Sequence, residues 1–193
     1  MDELDILRLL EDSKAIRRGH FELSSGRHSD TYVQCAAVLQ YPPRAESLGR
    51  DLAAKFPGLG IGCVISPALG GVVIGQEVAR ALATRAIFVE RDASGRLALR
   101  RNFKIQPDEK ILVIEDVWTT GGSTRETISV IESEGGLVVA AGAIINRGGD
   151  DLNLPVRTEA LLHMDVRSYD PSDCPLCRTG DAAVRPGSHF SRA

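Results

Sequence analysis

Short apolar runs alternate with longer amphipathic segments through the middle of the chain. The segments 71–83 and 123–134 have apolar residues at helical spacing. Continuous Val- and Ile-rich runs joined by amphipathic helices are typical of strands buried on both faces of a parallel sheet. The pattern therefore predicts a doubly wound α/β fold, with a mostly parallel central sheet flanked by helices. The runs predicted as strands are 63–66, 86–90, 111–115, 137–145 and 160–166.

The N-terminal part has a different pattern. Residues 1–18 have apolar side chains near helical spacing, which predicts an amphipathic helix that ends at Gly19. A Ser-, Gly- and His-rich loop follows, with a short strand expected at Tyr32 and Val33. Leu48, Leu52 and Phe56, at four-residue steps, predict a further helix over 45–56.

Two segments fall outside the strand and helix alternation. Residues 91–104 contain five basic residues and one acidic residue, and a short Leu-Ala-Leu alternation there indicates a hairpin or a mobile loop. Residues 167–193 have three prolines and no long apolar period, which indicates an extended tail over the domain or over a dimer partner.

The length of 193 residues fits one domain. We divide it into an N-terminal part of about 1–40, a core of about 45–166 and the tail. With 43% hydrophobic and 25% charged residues the chain is expected to fold, which excludes a disordered or collagen-like protein.

Charge and hydropathy limit the possible partners. The net charge is −3, so the whole protein has no electrostatic tendency to bind nucleic acid or an anionic membrane. No apolar run approaches the length of about 18 residues that a membrane span requires. We therefore predict a cytoplasmic protein that binds neither nucleic acid nor membrane.

The cysteines are too few for a disulfide framework, so reduced thiols are expected. Cys174-Pro-Leu-Cys177 suggests half of a zinc site, but the sequence shows no second C-x-x-C or H-x-H pair. Two ordinary thiols and no protein-held metal are therefore the favoured interpretation. The histidines, which share no metal-ligand spacing, are His20, His28, His163 and His189.

The strongest chemical signal is residues 111–124, ILVIEDVWTTGGST. An apolar strand ends in Glu115 and Asp116, and a loop of Thr, Gly and Ser then leads into a helix. The free N–H groups and the dipole of a helix N-terminus bind phosphate, and adjacent carboxylates can accept hydrogen bonds from sugar hydroxyls. A phosphorylated sugar is the predicted ligand, since the spacing matches neither the Walker motif nor G-x-G-x-x-G. The alternative is an ordinary strand-to-helix turn.

Two further candidate binding segments also lie at the end of a predicted strand. Residues 67–71 follow a strand and precede a helix, so their N–H groups could bind pyrophosphate, although a tight turn is the alternative. Arg147 ends a strand, and its guanidinium matches the geometry of a carboxylate. The alternative for Arg147 is an exposed, solvated side chain.

Residues 113–124 resemble the phosphoribosyl pyrophosphate motif of the type I phosphoribosyltransferases. The similarity extends over most of the chain and is greatest to the orotate phosphoribosyltransferases. The segments that carry it are Phe21-Glu22-Leu23-Ser24-Ser25-Gly26-Arg27-His28-Ser29, Ser66-Pro67-Ala68-Leu69-Gly70-Gly71 and Asn146-Arg147.

The resemblance implies transfer of a phosphoribosyl group from phosphoribosyl pyrophosphate to orotate, giving orotidine 5'-monophosphate and pyrophosphate in pyrimidine biosynthesis. It also implies a homodimer, a small hood formed by the two chain ends, and Mg²⁺ carried on the diphosphate. It assigns orotate to Ser25, Gly26, Thr119 and Arg147. Phosphoribosyl pyrophosphate is assigned to Arg91 and to Glu115, Asp116, Val117, Trp118, Thr119, Thr120, Gly121, Gly122 and Ser123. The catalytic residues implied are Asp116, Arg100 and Arg101.

The chain departs from the family where many members have lysines. Ser24, Gly70 and Ser94 stand at those places, and Arg91, Arg100 and Arg101 are the available substitutes. Two other functions remain open: a purine or xanthine phosphoribosyltransferase, and a non-catalytic regulator that senses phosphoribosyl pyrophosphate. Arg147 and the N-terminal Ser-Gly loop argue against the first, and the acidic balance argues against the second.

Overall fold

The computed structural model describes residues 1–23, 25–149 and 152–186 of the chain. Its α-helices are α1 Glu3–Asp12, α2 Ala36–Leu39, α3 Pro42–Ala53, α4 Gly70–Ala81, α5 Gly122–Ser133 and α6 Pro175–Arg178. Its strands are β1 Ile16–Glu22, β2 His28–Val33, β3 Cys63–Pro67, β4 Arg85–Arg91, β5 Leu97–Leu99, β6 Lys110–Trp118, β7 Leu137–Asn146, β8 Thr158–His163 and β9 Ser168–Tyr169.

The central sheet has six strands in the order β5-β4-β3-β6-β7-β8. All neighbouring strands are parallel except β5, which is antiparallel to β4. The mostly parallel α/β sheet predicted from the apolar runs is therefore confirmed. Its parallel strands end at one edge, where the connections to α4 and α5 begin, and such edges bind ligands in open α/β folds.

Helices cover both faces of this sheet and bury two apolar clusters. On one face α1, α3 and α4 pack over Leu48, Val64 and Leu112. On the other face α5 packs through its fully buried Ile131 against the cluster that contains Ile65 and Val113. Successive residues of β3 and β6 thus enter opposite clusters, which explains why these strands have no polar face.

The N-terminal helix is shorter than its apolar spacing predicts. α1 ends at Asp12, and the hydroxyl of Ser13 donates to the carbonyl of Leu9 at 2.7 Å. Residues 16–22 then form β1, so the prediction of a helix to residue 18 that ends at Gly19 is wrong. Pairing with β2 makes this segment a strand. The sequence pattern alone does not decide this, because Ile16 fits the spacing of a helix as well as that of a strand, and the partner strand is brought near only by the tertiary fold.

A second sheet of three strands, β1-β2-β9, lies apart from the central one. β9 pairs with β2 at only two positions, and a single bridge joins Phe21 to Val184. We call this sheet with residues 167–186 the hood. The predicted extended tail thus includes a short strand, a 3₁₀ turn at Pro171–Asp173 and helix α6. Its last part, including His189, lies outside the described residues.

The basic segment after β4 begins as a hairpin, which is the first of the two alternatives that the Leu-Ala-Leu alternation indicated. Asp92 forms its turn, because its carboxylate accepts hydrogen bonds from the N–H groups of Ser94 and Arg96 at 2.8 and 3.1 Å. Gly95 takes the left-handed conformation with φ +83°.

Through residues 1–23, 25–149 and 152–186, each helix is too short or too polar to cross a bilayer.

Candidate active site

Glu115 and Asp116 lie at the carboxyl end of β6, where the buried strand reaches the edge of the sheet. Glu115 is only 8% exposed and Asp116 is partly buried. The N–H of Asp116 donates to Glu115 Oε1 at 3.3 Å. The sequence therefore places two adjacent carboxylates in a largely desolvated position beside a loop that can bind a ligand.

Burial and the neighbouring charge of Asp116 raise the pKa of Glu115 to about 9. Burial likewise raises the pKa of Asp116 above its usual value. Two carboxylates this close cannot both ionise without cost, so the pair retains a proton near neutral pH in the free protein. Ligand hydroxyls that donate to the pair would favour its ionised form.

The loop after β3 lies against these two acids. A Cβ built on Gly70 would stand 2.6 Å from Asp116 Oδ1, and one built on Gly71 would stand 2.8 Å from the Ile114 carbonyl and 3.2 Å from Glu115 Oε1. The parallel pairing of β3 with β6 causes this approach, because both strands end at the same edge. The structure thus brings residues 67–71 and the acid pair together. Asp116 leaves no room for a side chain at position 70, which accounts for the glycine there.

The loop 119–123 connects β6 to the N-terminus of α5. Gly121 has φ +71°, a left-handed conformation that other residues rarely adopt, and it starts the helix without a side-chain cap. Glu115 and the loop from Thr119 onward line a small cavity of about 30 Å³. Free N–H groups of the first helical turn and nearby hydroxyls form a site for an anion.

Two residues of the predicted phosphoribosyl site have core side chains. Trp118 is 2% exposed, and its Nε1–H donates to Thr124 Oγ1 at 2.9 Å inside the second apolar cluster. Val117 packs against the other cluster. Both residues also line the small cavity beside Glu115. Because their side chains pack in the core, a contact with phosphoribosyl pyrophosphate through their main-chain groups stays a prediction.

Arg147 is next to the end of β6 in space. Its N–H donates to the Trp118 carbonyl at 2.9 Å, where β7 pairs with β6. The following residue, Gly148, would have a Cβ only 2.1 Å from the Thr119 carbonyl. The structure therefore brings Arg147 and Thr119 together, as the resemblance implied.

Arg147 lines an open cavity of about 750 Å³. Burial lowers the pKa of its guanidinium from the usual value, but an arginine remains charged at neutral pH. A partly desolvated guanidinium at a cavity wall is suited to a planar carboxylate ligand. His163, Met164 and Asp165 also line this cavity, which the sequence pattern does not indicate.

Ser25 and Gly26 lie in the turn between β1 and β2, with Gly26 at φ +77°. The adjacent Arg27 donates to the Ser168 carbonyl at 2.7 Å, and Ser29 donates to the Arg167 carbonyl at 2.8 Å. Arg167 is two residues beyond Asp165 of the Arg147 cavity, so the turn is attached to the segment that leaves the cavity wall. Ser24 lies outside the described residues.

The three arginines considered for the leaving group are paired with glutamates. Arg101 Nη2 is 2.9 Å from Glu90 Oε2, and Arg100 Nη1 is 4.0 Å from Glu90 Oε1. Arg91 Nη1 is 3.3 Å from Glu126 Oε2. These side chains are more than half exposed, so the ion pairs are weak and can open. None of these pairs joins an arginine to the acids at the end of β6.

Cys35 supports the acid pair and was not identified from the sequence. Its thiol is fully buried and donates to the Asp116 carbonyl at 3.8 Å. Burial raises the pKa of this thiol well above its usual value, and the charges of Asp116 and Glu115 add to the effect. Nothing in the local sequence marks the contact, because 81 positions separate the two residues.

Curated relatives match nearly the whole chain. Orotate phosphoribosyltransferase of Pelotomaculum thermopropionicum is 50% identical over 184 residues, covering 95% of this chain and 96% of the relative. Orotate phosphoribosyltransferase of Chlorobium phaeobacteroides is 44% identical over 192 residues, covering 100% of this chain and 99% of the relative. No protein-family model matches the chain.

Solved structures agree with this similarity. Orotate phosphoribosyltransferase from Aeropyrum pernix has a TM-score of 0.67 at 27% identity, over 82% of this chain and 93% of the other. Adenine phosphoribosyltransferase from Thermoanaerobacter pseudethanolicus reaches 0.64 at 16% identity, over 81% of this chain and 99% of the other. The fold alone is thus shared by enzymes that are named for different bases. The relatives that match nearly the full sequence are orotate phosphoribosyltransferases, and by this similarity the chain belongs to the orotate phosphoribosyltransferase family.

Proposed function

We propose that this chain transfers the phosphoribosyl group of phosphoribosyl pyrophosphate to orotate, with the residues at the edge of the central sheet in the roles argued below. The products are orotidine 5'-monophosphate and pyrophosphate, as in pyrimidine biosynthesis. The observation that carries the assignment is the juxtaposition of Arg147 with Thr119 at the paired ends of β6 and β7.

The phosphoribosyl group is assigned to the end of β6 and the loop after it. Glu115 and Asp116 accept hydrogen bonds from the two ribose hydroxyls, and Thr119 to Ser123 hold the 5-phosphate at the start of α5. The small cavity and the left-handed Gly121 support the phosphate assignment. The low exposure of Glu115 supports a strong contact, because a desolvated carboxylate gains most from charge-assisted hydrogen bonds.

Orotate is assigned to the cavity beside Arg147. Its carboxylate would pair with the guanidinium, and Thr119 would lie beside the base. The turn at Ser25 and Gly26 is assigned to the same end, and the hydrogen bonds of Arg27 and Ser29 to the segment after Asp165 support this assignment. A carboxylate contact distinguishes orotate from uracil, which has the same ring without the charged group.

Pyrophosphate departs from the side of the loop 67–71, which touches the acid pair. Mg²⁺ arrives as part of the magnesium complex of phosphoribosyl pyrophosphate, because the site offers too few carboxylates for an all-protein magnesium cage. The departing negative charge is assigned to the exposed side chains of Arg91, Arg100 and Arg101, which would leave their partly buried glutamate partners to bind it.

The chemical step needs charge stabilisation rather than a nucleophilic side chain. As the C–O bond to pyrophosphate breaks, positive charge develops on the anomeric carbon, as it does in glycoside cleavage. The ring nitrogen of orotate forms the new bond and releases its proton, and the electron pair of the broken C–O bond leaves on pyrophosphate. The protein contributes by holding both reactants in line and by neutralising the leaving group.

The test is a parallel assay with purified protein, Mg²⁺, phosphoribosyl pyrophosphate and one of orotate, uracil, hypoxanthine, xanthine or adenine. We expect base consumption and pyrophosphate release with orotate alone. Turnover with a purine would retain the phosphoribosyl assignment and refute the role of Arg147. Binding of phosphoribosyl pyrophosphate without turnover of any base would favour the regulatory alternative.

We also propose a homodimer, which the resemblance implies. Light scattering coupled to gel filtration should give twice the mass of 20.8 kDa. A monomer at the concentration of the activity assay would contradict this proposal.

A further inference from the structure

Four potential metal ligands from distant parts of the chain meet in the hood. His20 lies in β1 and His28 in β2, while Cys174 directly precedes helix α6 and Cys177 lies within it. Their ligand atoms all lie within 4.8 Å of one another. No local spacing in the sequence marks a partner for the cysteine pair, because His20 is 154 positions away from Cys174. The fold supplies the second pair.

The separations fit one tetrahedral ion. His20 Nε2 is 2.9 Å from His28 Nδ1 and 3.6 Å from Cys174 Sγ, and Cys177 Sγ is 3.3 Å from His28 Nδ1. Tetrahedral zinc, with bonds of ~2.3 Å to sulfur and ~2.0–2.1 Å to nitrogen, spaces sulfur from nitrogen by about 3.5 Å and the two nitrogens by about 3.4 Å. To form the site, the two nitrogens must separate by about 0.5 Å, and the widest spacing of the cluster, 4.8 Å, must shorten by about 1 Å.

The second nitrogen of His20 is already held in the way that ligand histidines require. Nδ1 lies 2.8 Å from the Asp181 carbonyl, which can only accept, so Nδ1 carries the proton. The lone pair of Nε2 then faces the cluster. A carbonyl that fixes the tautomer and orientation of a histidine is a common support for metal ligands.

Burial indicates a structural rather than a catalytic ion. Cys174 is 1% exposed and His20 is 8% exposed, while only Cys177 is on the surface. Four protein ligands leave no open position for water or substrate. Two thiolates and two imidazoles are a donor set that selects zinc over magnesium or calcium, and two thiolates balance the charge of a divalent ion.

We propose that His20, His28, Cys174 and Cys177 bind a structural zinc ion that fastens the tail to the hairpin β1-β2. The regular contacts of the tail are few, with two paired positions between β9 and β2 and one bridge at Val184. The ion would therefore hold segments that the small sheet connects only weakly.

His20 and His28 also lie on either side of the turn that contains Ser25 and Gly26. An ion bound by both histidines would therefore hold the two strands that flank this turn in a fixed geometry. The zinc site itself is independent of the proposed function, whereas this link to the orotate cavity rests on it.

The direct test is zinc content of the untagged protein by plasma mass spectrometry, after dialysis against metal-free buffer. We expect one zinc ion per chain, and loss of that zinc in Cys177→Ser and in His28→Gln. The matched controls Cys63→Ala and His163→Gln remove a cysteine and a histidine outside the cluster and should keep the ion. Equal zinc loss in the controls would overturn the site.

Reconstitution with Co²⁺ keeps the proposal testable if a variant fails to fold. The wild-type protein should show the thiolate charge-transfer and ligand-field bands of tetrahedral cobalt, and Zn²⁺ should abolish them. Wild-type protein that takes up neither ion would refute the proposal. An intact mass showing a Cys174–Cys177 disulfide in protein purified under reducing conditions would also refute it. These readouts do not depend on which base the enzyme uses.

Discussion

The phosphoribosyl end of the site and the hood are built in opposite ways. Glu115 to Ser123 is one continuous stretch at the end of a buried strand, and its geometry follows from the strand, the turn and the helix that flank it. The hood brings His20 against Cys174 across 154 positions, on a sheet of three short strands. The residues proposed to bind the phosphoribosyl group are thus positioned by a local motif at the edge of the central sheet. The end of the site expected to bind the base depends instead on contacts between distant parts of the chain.

The largest effect is expected from the double change Glu115→Gln and Asp116→Asn. Two charge-assisted hydrogen bonds to ribose are lost, so kcat/KM for phosphoribosyl pyrophosphate should fall by at least about 100-fold. Steady-state kinetics measures the loss, and circular dichroism checks the fold. Glu132→Gln, an exposed carboxylate on α5, is the control and should have normal kinetics. Full activity in the double variant would refute the assignment.

Arg147→Ala should affect the other substrate. Loss of a partly desolvated pair with a carboxylate is worth roughly 1.5–3 kcal/mol, so kcat/KM for orotate should fall by about one to two decades. The KM for phosphoribosyl pyrophosphate should change little, and Arg147→Lys should recover part of the loss. Arg8→Ala, on the exposed side of α1, provides the charge-matched control. Equal losses for both substrates would mean that Arg147 supports the whole site.

Cys177→Ser should loosen the hood without disturbing the central sheet. We expect faster hydrogen exchange over residues 168–186 and in the turn at Ser25 and Gly26, with unchanged protection in β6. The KM for orotate should rise by up to about tenfold, because an ordering contact is lost rather than a direct one. Wild-type exchange over the tail would contradict the role of the cluster as a fastening.

The smallest effect concerns stability as a function of pH. Since the pKa of Glu115 is raised to about 9 in the folded protein, the folded state retains a proton that the unfolded chain releases. Wild-type stability, measured relative to Glu115→Gln, should therefore fall as the pH rises from about 5 to 9. Urea unfolding at several pH values measures this difference. Parallel curves for the two proteins would show that Glu115 ionises normally.

The same contrast explains which features could be predicted from the sequence. The strand that ends at Glu115 and Asp116 and the helix after Gly121 follow from apolar periodicity and turn chemistry, which act within a few residues. Residues 16–22 do not, because Ile16 fits either a helix or a strand until β2 pairs with it. Cys35 beneath Asp116 and the two histidines beside the cysteines are likewise set by tertiary contacts, which no local spacing records.

The buried indole of Trp118 has an optical consequence. It is the one tryptophan of the chain, and its Nε1–H is bonded to Thr124, in the first turn of α5. The tryptophan fluorescence of this protein, excited selectively at wavelengths that tyrosine does not absorb, therefore originates at a single point, between the acid pair and the phosphate loop. Its emission maximum and quenching report on that junction alone, so ligand occupancy and the loss of packing around β6 can be followed without an attached dye.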